Sequence, residues 1–249
     1  MTVTSPGGFP GTVRPDNIIT HPSSPRYRCL AQALASLRLA EREGIGVDRM
    51  LADMLIVGRP RPEIRETAGP SVRVSLFGGG AHAEVVGLFA GLDPPEAARD
   101  LDAVLLIDHL ASNHWVDAAI AEAPLQRSRG ETEAAIERAL RVEFESEPVL
   151  TAIKGIPANA ERAYRLSDRA RTQLAGTLAR LDSPADRSDA IVRWAHHRGR
   201  VSSTEVADLL GLSVVRAGQI LTELENGGLL APGRETKAGR GFFYVPATD

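Results

Sequence analysis

Between Asp186 and Pro246 two helix-start signals flank one sharp glycine turn, and this local pattern restricts the fold more than any other feature of the 249 residues. Asp189 to His197 has helical spacing, and Gly199 stops it. Ser202 followed by Glu205 is a capping box, in which the two side chains satisfy open backbone N–H groups at a helix start, so Val206 to Leu210 reads as one short helix. Gly211 is the turn, and Leu212 and Ser213 supply an apolar residue and an N-cap. Ala217, Ile220, Leu221 and Leu224 then mark the buried face of a second helix. Gly227 and Gly228 close it, Leu229 and Leu230 start a strand, and a polar loop through Gly241 leads to a returning strand at Phe242 to Val245.

Helix, helix, helix, hairpin is the order of a winged helix-turn-helix, which places the segment starting at Ser213 in the recognition position. Such a helix enters the major groove with its N-terminal residues, while flanking basic groups contact phosphate. The residues expected at DNA are therefore Ser213, Val215, Arg216, Gln219 and Thr222, with Arg234, Lys237 and Arg240 reaching from the loop that forms the wing. Arg216 suits guanine and Gln219 suits adenine, each by a bidentate pair. The expected partner is double-stranded DNA. Winged helices also dock proteins, so a docking or dimerisation role is the competing reading.

Upstream, the same order recurs more loosely. Leu101, Val104, Leu105 and Asp108 mark one helix, Val116 to Ala123 a second, and Ser128 to Val142 a third that opens on a Ser128/Glu131 capping box. Val149 to Ile153 and Ala163 to Leu166 read as two strands, and Asp168 to Leu181 as a further helix. Trp115 and Trp194 are placed inside helices as core residues. The opening stretch through Pro25 is rich in Gly, Pro, Ser and Thr and reads as a loop or lid. After it come a helix through Leu37, a glycine break at Gly44 and Gly46, and a second helix through Met54. The alternation Val72, Val74, Leu76 predicts a strand closing against one near Glu63 to Glu66, and Ala81 to Ala97 is a connector with a short element at Glu84 to Phe89. The expected fold class is mainly α (α+β), with segments 1–80, 96–182 and 183–249.

A composition of 43% apolar and 24% charged residues is that of a globular chain, and the net charge of −3 argues against a protein that coats nucleic acid nonspecifically. Residues 186–249 hold 8 basic and 8 acidic side chains, so any DNA contact must be local. One cysteine, Cys29, allows no internal disulfide. With no apolar run of membrane-spanning length and no secretory signal at the start, the expectation is a cytoplasmic protein with no membrane partner.

Gly7 and Gly8, and later Gly44 and Gly46 before a helix, are the kind of glycines that let backbone amides approach a phosphate, although a turn and a helix-breaking pair explain them equally. The phrasing of residues 1–78 adds weight to the first reading. SPGGFPG, THPSSPRY, LRLAEREGIGVDRM, RPRPEI and SVRVSLFGG resemble the bacterial ATP-binding family labelled RecG-like C-terminal. Its full-length members are similar to a DNA-binding domain of Schlafen/AlbA type, a GHKL ATPase module and C-terminal winged helices. The resemblance implies a partial GHKL-like α/β module, transcription regulation, and ATP with magnesium as the ligand class. It assigns Gly7 and Gly8 to the first glycine box and Gly44 and Gly46 to the second, ahead of Asp48 and Arg49. The helix that in such ATPases supplies a water-activating Glu and a magnesium-holding Asn has no counterpart here, so the expectation is weak nucleotide binding without hydrolysis and no catalytic residue. A module lacking strands leaves an apolar face uncovered, which suggests a homodimer. The six histidines show no metal-site spacing, and no Gly-x-x-x-x-Gly-Lys-Ser/Thr loop supports helicase activity.

Overall fold

The computed structural model describes residues 1–39, 44–179, 183–234 and 241–247 and shows a mixed α and β fold. Along the chain lie β1 (Thr2–Pro6), α1 (Arg28–Ser36), α2 (Gly46–Leu55), β2 (Glu63–Thr67), β3 (Ser71–Ser75), α3 (Ala83–Ala90) and β4 (Leu92–Asp93). After a 3-10 turn at Pro95–Arg99 come α4 (Leu101–Ser112), β5 (Val116–Asp117), α5 (Ala118–Leu125), α6 (Arg129–Ala139), β6 (Glu143–Phe144), β7 (Glu147–Pro148), β8 (Leu150–Ala152) and β9 (Ala163–Leu166). The chain continues through α7 (Asp168–Gln173), α8 (Ala175–Leu178), α9 (Pro184–Arg198), α10 (Ser203–Leu210), α11 (Val214–Asn226), β10 (Leu230–Pro232) and β11 (Tyr244–Pro246). Two compact units divide these elements. The first holds residues 1–108 and 118–146, the second 109–117 and 147–249.

In the first unit β3 is the middle strand of an antiparallel sheet, pairing Ser75 with Thr2 of β1 on one side and with Glu63 of β2 on the other. The opening stretch is thus not all loop. β1 escaped notice because Thr-Val-Thr-Ser-Pro buries no face: all five residues are exposed, and its partner lies some seventy residues downstream. α1 also buries nothing, leaving Leu30 56% and Leu37 68% exposed. The buried residues of this unit gather elsewhere, in Leu88, Val104, Leu105, Leu106, Ala121 and Leu125. Gly91 is required there, because a Cβ would sit 2.7 Å from the ring of Phe144, the β6 residue next to which β4 pairs through Leu92.

The second unit contains the sheet β5-β9-β8, in which Val116 pairs with Tyr164 and Leu150 with Leu166. Ser183 caps α9 with Pro184 in the first turn, so this helix starts five residues earlier than its apolar spacing suggests. Two further readings need correction. Trp115 lies between α4 and β5 and not inside a helix, and the helix expected from Asp168 is split into α7 and α8 at Leu174, its expected end at Leu181 falling outside the described residues. Trp115 is nevertheless buried, edge-on to fully buried Trp194 with centroids 4.7 Å apart. α10 and α11 follow the Ser202/Glu205 capping box and the left-handed Gly211, and β10 and β11 pair antiparallel with Val201 bridging to Tyr244.

Candidate nucleic-acid interface and glycine loops

α11 is held by a local start signal and one apolar face. The Ser213 hydroxyl accepts from the Arg216 amide at 3.2 Å, and Ala217, Ile220, Leu221 and Leu224 are buried. The opposite face carries Val215, Arg216, Gln219 and Thr222, all exposed, with Val215 74% accessible. These polar groups are partly engaged with one another. Arg216 donates to the Gln219 amide oxygen at 3.0 Å and lies 3.6 Å from the Glu223 carboxylate, while Thr222 donates back to the Gly218 carbonyl at 3.0 Å. At the root of the following hairpin the guanidinium groups of Arg234 and Arg200 stand 5.5 Å and 4.6 Å from the centre of the Phe243 ring. Arg200 had no signal of its own in the sequence, being one Arg among many in a connection. Lys237 and Arg240 lie outside the described residues.

Two ties fix α10 to the β8–β9 region of the same unit. Arg165 on β9, with a side chain 6% exposed, donates to both Asp208 carboxylate oxygens at 3.2 Å and 3.3 Å, and the Lys154 amide donates to the same group at 3.1 Å. Burial pushes the Asp208 carboxyl up, but the bonds from Arg165 and Lys154 and their two charges outweigh it and hold it below the usual carboxylate range. Arg171 on α7 donates to the last carbonyls of α10, those of Leu209 and Leu210, at 2.9 Å and 3.3 Å. Beside them is a cavity of about 190 Å³ lined by Asp117, Glu161, His197, Arg198, Arg200 and Glu205. Within it fully buried Asp117 is met by His197 at 2.7 Å and Arg198 at 3.5 Å.

The four candidate glycines of the first unit differ in their surroundings. Gly7, at φ +88°, donates to the Pro70 carbonyl at 2.7 Å, and the space a side chain would take there holds the Arg26 guanidinium. Arg26 also donates to the Gly8 carbonyl at 2.6 Å, and the corresponding space at Gly8 holds the Glu66 carboxylate. At Gly44, φ +77°, an added Cβ would lie 3.6 Å from Ser23. Gly46 is the first residue of α2, with open space where a Cβ would lie. The Gly7 amide is thus engaged with Pro70, and one cationic and one anionic side chain lie against the first glycine pair. Among the described residues no cluster of three His, Cys, Asp or Glu is placed to hold a metal ion.

A buried charge network lies in the same unit. Asp102, 3% exposed on α4, accepts from Arg127 at 2.8 Å and from Arg138 at 2.7 Å. Half-buried Asp48 is raised above the usual range, by burial first, with the nearby Arg127 charge opposing and Asp102 adding, and its Oδ1 has no hydrogen-bond partner.

Residues 1–76 match the family described as putative ATP-dependent DNA helicase recG C-terminal. The first part of the chain is therefore similar to an ATPase-type module, the resemblance its phrasing carries. The chain as a whole shares its fold with the DIP2311 protein from Corynebacterium diphtheriae, with a TM-score of 0.87 at 24% identity over 98% of this chain and 44% of that one. It thus spans under half the length of that protein. No curated protein matches the chain. Among the described residues no helix is long and apolar enough to cross a membrane.

Proposed function

We propose that the chain is a DNA-binding regulator in which α9, α10, α11 and the β10–β11 hairpin act as a winged helix-turn-helix, carried behind a partial ATPase-type module. The observation that carries this reading is α11 itself: a capped helix after a left-handed glycine turn, presenting Val215, Arg216, Gln219 and Thr222 to solvent, in a unit that also carries the Arg234/Arg200 pair at Phe243. That combination suits base-edge contact from the helix and phosphate contact from the hairpin. ATP has no step in this reading.

A docking role is the second reading. It is favoured by Val214 and Val215, which are 52% and 74% exposed at the head of α11, and by Glu223 beside Arg216. Fluorescence anisotropy separates the two. Wild type and Arg216→Ala are titrated with duplex from the gene's own upstream region and with random duplex at several salt concentrations. DNA reading gives binding that weakens with a log–log salt slope of about −0.9 per phosphate contacted, and a sequence preference lost in the variant. Absence of binding to either duplex at low salt refutes it and leaves docking.

A further inference from the structure

The turn between α5 and α6 has a backbone that asks for glycine and a sequence that supplies glutamine. Gln126 sits at φ +54° in the left-handed region; its amide bonds back to the Ala123 carbonyl and the next amide, of Arg127, to the Glu122 carbonyl, each at 3.3 Å. This is the Schellman arrangement of a helix end, whose left-handed position is usually glycine because a Cβ is strained there. The Gln126 side chain shows what the strained residue does. Its Oε1 accepts from the Ile19 amide at 2.9 Å and its Nε2 donates to the Pro15 carbonyl at 2.8 Å, so both ends of one side-chain amide hold the backbone of the front loop. Glycine at this place would satisfy the turn and lose both bonds.

Each side of this contact is built into a larger assembly within the first unit. The front loop is organised around Asn17, whose Oδ1 accepts from the Arg14 amide at 2.7 Å, whose Nδ2 donates to the Thr12 carbonyl at 3.0 Å, and whose own carbonyl accepts from the His21 amide at 2.8 Å. On the other side Arg127 is bound to buried Asp102, Ser128 caps α6, and Arg138 near the end of α6 returns to the same aspartate. A displacement of the front loop therefore pulls on Gln126, two residues before the cap of α6.

We propose that Gln126 is a clasp through which residues 12–21, directly after the first glycine pair, govern the start of α6. With the loop in place the turn is held in its strained form and Arg127 stays on Asp102; with the loop displaced the turn relaxes and the first turn of α6 loosens. The link is independent of whether α11 reads DNA. It is tested by hydrogen exchange on the full chain, followed by mass spectrometry over peptides covering 12–21 and 126–133, without DNA or nucleotide.

Gln126→Gly, which the turn geometry accepts, is expected to speed exchange in 12–21 on the order of twentyfold, the effect of losing two hydrogen bonds at about fivefold each. Gln126→Glu keeps the acceptor for Ile19 and loses the donor to Pro15, and is expected to fall between. Asn17→Ala, which leaves Gln126 untouched, is expected to speed exchange in 126–133, since coupling is reciprocal. If Gln126→Gly leaves the loop unchanged, or if Asn17→Ala leaves the first turn of α6 unchanged, the clasp is overturned.

Discussion

Removing the Asp208 carboxylate tests whether α10 is locked to β9 by a buried ion pair or merely rests against it. In Asp208→Ala the Arg165 guanidinium loses two bonds, at 3.2 Å and 3.3 Å, and the Lys154 amide loses one at 3.1 Å. Breaking a buried pair from one side costs about 3–5 kcal/mol, since the other charge stays buried. The low end applies here, because the bonds are long for charge-assisted ones and Arg165 keeps the Leu166 carbonyl at 2.9 Å and exposed Asp168 at 2.8 Å. The expected loss is about 3 kcal/mol, with Arg165→Met smaller and a coupling between the two of about 1 kcal/mol or more in a double-mutant cycle.

Urea unfolding followed by tryptophan fluorescence is the assay, and it is selective: the chain has two tryptophans, Trp115 and Trp194, both in the second unit. The pH dependence carries a sign as well. Because the folded-state carboxyl is depressed, its contribution is complete above the unfolded value of about 4 and disappears as pH falls through the folded one. The advantage of wild type over Asp208→Ala should therefore be level at neutral pH and shrink only in acid. A coupling below about 0.5 kcal/mol, or a gap that does not change in acid, refutes the lock.

Asp48→Asn should stabilise the first unit at neutral pH, because burial penalises the native carboxylate there. The gain should vanish as pH falls below about 4, where the aspartate is protonated in both states, as calorimetry at the two pH values will show. Glu223→Gln should tighten DNA binding at low salt by about two- to fivefold, the scale of an exposed ion pair, by freeing Arg216 and removing a negative charge from the same face. Unchanged or weaker binding in the anisotropy assay would place α11 away from the phosphates.

What could be read from the chain were features whose causes lie within a few residues of one another. Ser202 with Glu205, Gly211 and Ser213 are complete instructions for two helices and the turn between them, and the structure has α10 and α11 at those places. Ser183-Pro184 is an equally local start signal for α9, whereas the apolar spacing begins only at Asp189. β1 could not be read this way, since it owes its existence to backbone pairing with β3 and not to a face of its own. The exposed residues of α11 follow from its period, but their mutual engagement through Gln219 and Glu223 depends on rotamers that spacing does not specify. At the glycines, spacing marked where the backbone is bare, and only the fold reveals that Arg26 and Glu66 fill it.

The polar residues that organise each unit share one property: they bond across intervals in sequence that no local pattern encodes. Arg165 reaches Asp208, Arg127 and Arg138 converge on Asp102, and Gln126 reaches back to Pro15 and Ile19. Each is an ordinary surface-type residue by composition, and each is costly to bury or strain unless its partner is in place. Such residues add less to stability than apolar groups of the same size would, but they are intolerant of altered register. Under the proposed DNA-reading role, that intolerance is useful. α10 is held in its last turn by Arg165, through Asp208, and at its final carbonyls by Arg171, so the turn at Gly211 and the start of α11 are set by the frame of the second unit and not by the turn alone. Side chains at Arg216 and Gln219 are then presented from a fixed backbone, which is what a bidentate contact demands.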